Sequence, residues 1–371
     1  MNVPFLDLKA SYNELRGEIE LEVLRSLRSG QYIGGADIDL FEREFAAYVG
    51  ASRCVALANG LAALQLALKA LDIGPGDEVI VPSNTFIATW LAVSETGAVP
   101  IPVEPDVEHC NIDPAKIQAA ITPRTKAIIP VHLYGQPADL RPILDIAKGH
   151  GLYVVEDAAQ AHGSRYEGDP VGSHGDIVAW SFYPGKNLGA AGDAGAITTN
   201  STDIADRIAM LRNYGSRQRY VNEVQGYNCR LDPVQAAILT VKLRHLPEWN
   251  GRRSRIAKRY SNGLVSSGII LPKVADWATP VWHLYCIRHP KRDQLRELLA
   301  AAGVETLVHY PIPPHLQVAY KQLGYQVGDF PIAEALAETS ISLPIGPAMT
   351  DDQVEHVIET VKAAVGKLRN D

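Results

Sequence analysis

Residues 181–196 read SFYPGKNLGAAGDAGA: the end of an apolar run, a Pro-Gly turn, one lysine, a glycine-rich hairpin and the start of a second apolar run. Lys186 is the only basic residue in the stretch. Lysines usually keep their ammonium in water. A tight loop of small residues instead favours partial desolvation, which disfavours the charged form and makes a neutral, nucleophilic amine accessible. By itself the loop fits a solvated turn lysine better. Its flanks say more about the fold, because "DIVAWSFY" (176–183) and "AGAITTN" (194–200) are short apolar runs bounded by Gly, Pro and Asp, the pattern of buried strands.

Working outward, the same pattern recurs at "RCVALA" (53–58), at 78–82, at "KAIIPVHLY" (126–134) and at "LYVVED" (152–157). Helical segments separate the runs. Leucines at 61, 64, 68 and 71 follow one helix face, and a helix is predicted over 86–96. Strands alternating with helices imply βαβ units and a mainly parallel sheet. Such sheets bind ligands where loops gather at the carboxyl ends of the strands. "LRHLPEWNGRRSRIAKRY" (243–260) reads as a long charged connecting helix, and a smaller α+β unit follows, ending in "DDQVEHVIETVKAAVGKL". The expected division is a large domain, 1–245 with an N-terminal arm, and a small C-terminal domain, 246–371.

Composition narrows the function classes. The 371 residues are 46% hydrophobic and 21% charged, with a formal net charge of −7. That balance argues against a nucleic-acid surface, which needs clustered Lys and Arg. There is no run of 18 apolar residues and no secretory h-region at the N-terminus, so a cytoplasmic protein with no membrane partner is expected. Four widely spaced cysteines (Cys54, Cys110, Cys229, Cys286) and eleven histidines form no metal-ligand pattern, so no metal is expected.

Two further loops carry candidate chemistry. In "ANGLAAL" (58–64) Gly60 opens a helix, where backbone N–H groups and the helix dipole favour an anion, although an Asn-Gly turn opening a helix is more often structural. "VVEDAAQAHG" (154–163) ends a hydrophobic strand with Glu156 and Asp157. Asp157 there fits either a helix cap or a carboxylate facing a ligand on the sheet. A phosphate cradle, a strand-end acid and a loop lysine, in that chain order, match the needs of pyridoxal 5'-phosphate (PLP). The phosphate sits at a helix N-terminus, the acid pairs with the pyridine nitrogen, and the lysine makes the covalent link.

The chain resembles the nucleotide-sugar aminotransferases, the DegT-type group of fold type I PLP enzymes. The resemblance runs nearly end to end, through "PFLDLKASYNEL", "SGQYIGG", "VPSNTFIAT", "HLYGQPADL", "EDAAQAHG", "SFYPGKNLGAAGDAGA", "YNCRLDPVQAAIL" and "HYPIPPHLQ". It implies an α/β fold with a mixed, mainly parallel seven-stranded sheet flanked by helices, plus the smaller α+β domain. It also implies that Lys186 bonds the cofactor and moves the proton. Asp157 keeps the pyridine nitrogen protonated; an opposite charge typically shifts a pKa by ~1–3 units, or roughly 1.4–4 kcal/mol. By the same resemblance Gln160 bonds the ring oxygen, Phe86 stacks on the ring, and the Gly60 and Leu61 amides with Ser181 hold the phosphate. Asn228 reaches the phosphate of a neighbouring subunit, which implies a homodimer with shared sites. Two departures stand out. Leu61 and Ala62 replace the Thr and Asp of many relatives, which voids a side-chain role at 61, and Ala194 replaces a glycine near the cofactor loop.

For substrate, the resemblance implies L-glutamate as amino donor and a nucleotide-linked keto sugar as acceptor, most like members that aminate C3 of TDP-3-keto-6-deoxyhexoses. Tyr183 and His309 would lie near the sugar, with His309 also a candidate for catalysis. Arg219 would meet the diphosphate from the partner subunit, a role that suits a guanidinium. The alternatives are amination at C4, a UDP- or GDP-linked sugar, and, from another class, a PLP-binding regulatory protein without catalysis.

Overall fold

Strands that are apolar on both faces need cover on both sides, and the computed structural model, which describes residues 1–370, supplies it. The helices are α1 (Leu8–Glu14), α2 (Arg16–Arg28), α3 (Ala36–Val49), α4 (Gly60–Ala70), α5 (Ile87–Thr96), α6 (Pro114–Ala120), α7 (Leu140–His150), α8 (Thr202–Leu211), α9 (Pro233–Leu264), α10 (Arg292–Ala301), α11 (Pro331–Thr339) and α12 (Asp351–Asn370). A seven-stranded sheet contains β1 (Arg53–Leu57), β2 (Glu78–Pro82), β3 (Val99–Val103), β4 (Thr125–Ile128), β5 (Tyr153–Asp157), β8 (Ile177–Ser181) and β9 (Gly195–Thr199). Between β5 and β8 lies the short hairpin β6 (Arg165–Tyr166) and β7 (Asp169–Pro170). Beyond the sheet come the hairpin β10 (Ser216–Gln218) and β11 (Val221–Asn222), then β12 (Ala278–Thr279) against β6, and the pair β13 (Tyr285–Arg288) and β14 (Ser340–Leu343).

Sheet order is β1-β9-β8-β5-β4-β2-β3. All pairings are parallel except the two made by β9, which is antiparallel to both β1 and β8. The mixed, mainly parallel sheet expected from the sequence is therefore present. Alternate strand residues divide between the two faces. Val55, Leu57, Val79, Val155 and Ala179 pack under α4, α5 and α8, whereas Cys54, Ala56, Val178 and Trp180 pack under α3 and α9. Side chains touching both layers explain the near-continuous apolar runs.

Local chemistry sets the element ends. Asn59 caps α4 by accepting from the Ala62 N–H at 2.9 Å, and Gly97 ends α5 in the left-handed region. The predicted strand 126–134 is shorter: β4 stops at Ile128, and Pro130 has no N–H to continue the ladder. The chain then makes a single bridge from Val131 to Asp157 and turns at Leu133–Gly135, where Tyr134 adopts φ 61°.

The C-terminal region builds a separate apolar core. Tyr260 and Leu264 of α9, Leu295 and Leu299 of α10, Ile341 of β14 and Val357 of α12 surround Tyr285. Val3 joins this core, its N–H donating to the Gly303 carbonyl at 2.8 Å. The expected boundary at 245/246 falls inside α9, beside Pro247, and residue 371 of the expected second unit lies outside the described residues. Among the described residues no helix is long and apolar enough to cross a membrane.

Candidate active site

Five loops converge at one end of the sheet: those after β1, β2, β4 and β5, and the β8–β9 connection that carries Lys186. That connection is tightly folded. The Lys186 N–H donates to the Tyr183 carbonyl at 2.8 Å, and the Ala190 N–H to the Phe182 carbonyl at 2.8 Å. A Cβ at Gly189 would stand 2.3 Å from the Pro184 oxygen, so only glycine closes the turn. Asn187, buried behind the lysine, donates from Nδ2 to Asn250 Oδ1 and to the Val281 carbonyl, both at 2.9 Å. Lys242 of α9 donates to the Gly189 carbonyl at 2.6 Å, and Gln235 accepts the Ala191 N–H at 2.8 Å. The loop is thus clamped from below.

Lys186 is half-buried, and burial pushes its pKa down to about 8 against the attraction of Asp157. Asp157 is buried at the end of β5. Its Oδ2 accepts from Thr89 Oγ1 at 2.9 Å and its Oδ1 from the Ala159 N–H at 3.1 Å. Burial pushes its carboxyl up, opposed by those two donors and by the Lys186 charge. One residue earlier, the fully buried Glu156 accepts from His132 Nε2 at 2.9 Å and from the Gly175 N–H at 2.5 Å. The Ala138 N–H donates to His132 Nδ1 at 3.1 Å, so Nε2 is the ring nitrogen that carries an N–H toward Glu156.

Gln160 Oε1 accepts the Tyr134 N–H at 2.6 Å, and its Nε2 donates to Tyr310 Oη at 3.1 Å. Phe86 lies just before α5 and is 51% exposed; its ring centroid is 5.2 Å from that of Tyr310. At the mouth of β1, a Cβ on Gly60 would meet Ser181 Cβ at 2.6 Å. Gly195 faces the same corner, where a Cβ would stand 2.4 Å from the Asn59 carbonyl. The α4 N-terminus is therefore pressed against β8 and β9, with the first-turn amides of Gly60 and Leu61 beside the Ser181 hydroxyl. The Leu61 side chain packs on the core instead of entering the site, and Ala194 is fully buried in the core beneath.

The structure thus gathers Gly60, Leu61, Phe86, Asp157, Gln160, Ser181 and Lys186 at one strand-end cluster. His309 borders it: its Nδ1 lies 2.9 Å from Ser342 Oγ, and burial pushes its pKa down to about 4, so the ring is neutral at neutral pH. Tyr183 is exposed beside the lysine. Arg219 and Asn228 make no hydrogen bond to the cluster within one chain. Arg219 is exposed at the turn of β10–β11 over the Tyr220 ring, and Asn228 is exposed on a bridge to Asn213. Thr89, Tyr134, Asn187 and Lys242 were missed by sequence reasoning. A threonine one helical turn into α5 and a lysine on a long helix give no local signal. The exception is Tyr134, whose position before Gly135 in "LYG" marks a turn.

The residues present fit PLP. A desolvated amine, a buried carboxylate that burial pushes up, and a glycine-lined helix N-terminus match its aldehyde, pyridine nitrogen and phosphate in charge and donor type.

Comparison with known proteins agrees. Residues 13–362 match the DegT/DnrJ/EryC1/StrS aminotransferase family. The chain is 55% identical to the erythromycin biosynthesis sensory transduction protein EryC1 of Saccharopolyspora erythraea, over 98% of this chain and 100% of that protein. It is 53% identical to a dTDP-3-amino-3,4,6-trideoxy-alpha-D-glucose transaminase of Streptomyces venezuelae, over 97% and 95% of the two chains. It is 52% identical to a dTDP-3-amino-3,6-dideoxy-alpha-D-galactopyranose transaminase of Aneurinibacillus thermoaerophilus, over 97% and 98%. Among solved structures, S. venezuelae DesV in complex with a ketimine intermediate superposes with a TM-score of 0.97 at 52% identity, covering 98% of each chain. NtdA of Bacillus subtilis with bound cofactor PMP gives 0.92 at 33% identity, covering 98% of this chain and 85% of that one.

Proposed function

The chain belongs to the DegT/DnrJ/EryC1/StrS aminotransferase family of PLP-dependent enzymes, and from that premise we propose that it moves an amino group from L-glutamate to C3 of a TDP-linked 3-keto-6-deoxyhexose. The observation that carries the catalytic part is the approach of the Lys186 amine to Asp157, with Gln160 on the loop that follows β5. Bound PLP supplies an electron sink for the carbon that loses or gains the proton. With the cofactor bound, the Lys186 amine, its pKa lowered to about 8 by burial, would hold the aldehyde carbon and carry that proton. Asp157 would keep a proton on the ring nitrogen, with Thr89 and the Ala159 amide fixing its carboxylate. Gln160 would donate to the ring oxygen, Phe86 would cover one ring face, and Ser181 with the Gly60 and Leu61 amides would hold the phosphate.

Substrate placement follows the same reading. Tyr183 and His309 flank the sugar, His309 as a neutral hydrogen-bonding group. Arg219 and Asn228, exposed within one chain, serve the site of a second copy, Arg219 at the diphosphate and Asn228 at the cofactor phosphate. The working unit in this proposal is therefore a homodimer acting in the cytoplasm, with chain 1–245 forming the cofactor-binding domain. Two relatives named for dTDP-3-amino sugars, each above half identity, support TDP and C3 over C4 or other nucleotides. Although a relative is named for sensory transduction, retention of Lys186, Asp157 and Gln160 supports catalysis here. The test is incubation with L-glutamate and a panel of TDP-, UDP- and GDP-linked 3- and 4-keto sugars, with NMR to locate the new amine. An amine at C3 of a TDP sugar is expected. Amination only at C4, or only of UDP or GDP sugars, overturns the substrate proposal.

A further inference from the structure

Gln160 is gripped from two sides. Because a backbone N–H can meet only the oxygen of an amide, the Tyr134 N–H at 2.6 Å fixes Oε1 and so turns Nε2 toward Tyr310 Oη, 3.1 Å away. Tyr134 closes the circuit from its other end, its phenol donating to the His309 carbonyl at 2.5 Å. The four residues form a ring of contacts: Tyr134 amide to Gln160, Gln160 to Tyr310, and the 309–310 segment back to the Tyr134 hydroxyl. The backbone at Tyr134 takes φ 61°, a region seldom used by a residue with a side chain, and in that conformation its N–H meets Gln160.

We propose that Tyr310 is a positioning residue for Gln160, holding the amide so that its second N–H faces the cofactor's ring oxygen. Tyr310 accepts one of the two Nε2 hydrogens and leaves the other for the ligand. Tyr310 is enclosed, and burial holds its phenol well above the ordinary range, so its oxygen stays a neutral acceptor throughout the working pH range. Its ring also lies 5.2 Å from that of Phe86, so one side chain steadies both the proposed edge contact and the proposed face contact of the cofactor. A glutamine amide without this second restraint can turn about its last torsion, which is broad and soft. The inference rests on the PLP reading of Gln160 given above.

The experiment is a double-mutant cycle of Y310F, Q160A and the pair, in holoenzyme. Y310F removes one oxygen and leaves the ring against Phe86, so folding persists; circular dichroism and a melting curve check this. Two readouts other than turnover are followed: the pH at which the visible band of the lysine-bound cofactor changes form, and cofactor affinity by equilibrium dialysis. Losing a donor at the ring oxygen lets that oxygen hold a proton more strongly, so the spectral transition moves to higher pH. Q160A is expected to move it by about half a pH unit or more, the scale of one hydrogen bond. Y310F moves it the same way by a smaller amount, and the double variant matches Q160A, because Tyr310 acts through Gln160. A Y310F protein that titrates and binds cofactor as wild type does, or shifts that add in the double variant, overturns the inference. K186A separates this from the parent reading. If K186A retains the lysine-bound band, the PLP assignment to Lys186 fails; if it loses the band while Y310F matches wild type, only the Tyr310 role fails.

Discussion

Replacing Lys186 by methionine should make the cofactor-free protein more stable. The folded chain holds this ammonium in a site that lowers its pKa from 10.5 to about 8. At 1.36 kcal/mol per unit, keeping it charged in the folded state costs about 3 kcal/mol at pH 7. The sign follows from proton counting. Below pH 8 both folded and unfolded chains carry the ammonium, and the folded one carries it at a penalty. Between pH 8 and 10.5 the folded lysine releases its proton while the unfolded one keeps it, so the penalty fades; above 10.5 neither is charged. Methionine has nearly the same reach and no charge, so K186M should exceed wild type by about 3 kcal/mol at pH 7 and by less than about 1 kcal/mol at pH 10. Urea denaturation of both apo proteins at the two pH values measures this. A variant no more stable than wild type at pH 7, or a gap that is the same at both pH values, would refute the claim that the site holds this amine against its preference for water.

Other perturbations have equally defined outcomes. Gly195→Ala places a Cβ 2.4 Å from the Asn59 carbonyl, where only backbone can yield; a loss of about 1–3 kcal/mol in urea unfolding is expected. It should also weaken cofactor binding at least about tenfold in equilibrium dialysis, since the displaced part is the proposed phosphate cradle. Glu156→Ala strands the His132 Nε2–H and the Gly175 N–H without an acceptor, and about 2–5 kcal/mol should be lost in the same unfolding assay. Asp157→Asn removes the charge that keeps the ring nitrogen protonated. Steady-state kcat should fall by about 10- to 1000-fold while bound colour persists, and an unchanged kcat would contradict the assigned role.

How much of this was legible in the sequence differs by residue. The buried strands were, because both-face burial leaves apolar runs that local pattern records; β1, β2 and β5 lie within a residue of their expected bounds. The 126–134 run misled by length. Its apolar content continues past Ile128, but Pro130 ends the pairing, and residues 133–135 build the turn whose Tyr134 N–H meets Gln160. Lys186, Asp157 and Gly60 stood out because their oddity is local: a lone cation among small residues, an acid ending a strand, a glycine opening a helix. Thr89, Lys242 and the Tyr310 contact did not. Each acts on a residue 50 or more positions away, as with Lys242 and the Gly189 carbonyl, and only the folded sheet brings such partners together.

Lys242 also supplies the sharpest control. It too is half-buried, its pKa is pushed down to about 8 by burial, and it lines the same cavity of about 470 Å³ beside the loop. Two lysines with low pKa values therefore stand near the cofactor loop, and only one can be the covalent residue. Borohydride reduction of the holoenzyme, followed by proteolysis and mass spectrometry, decides between them. The phosphopyridoxyl mass is expected on the peptide carrying Lys186; finding it on Lys242, or on neither, would contradict the assignment on which the function rests.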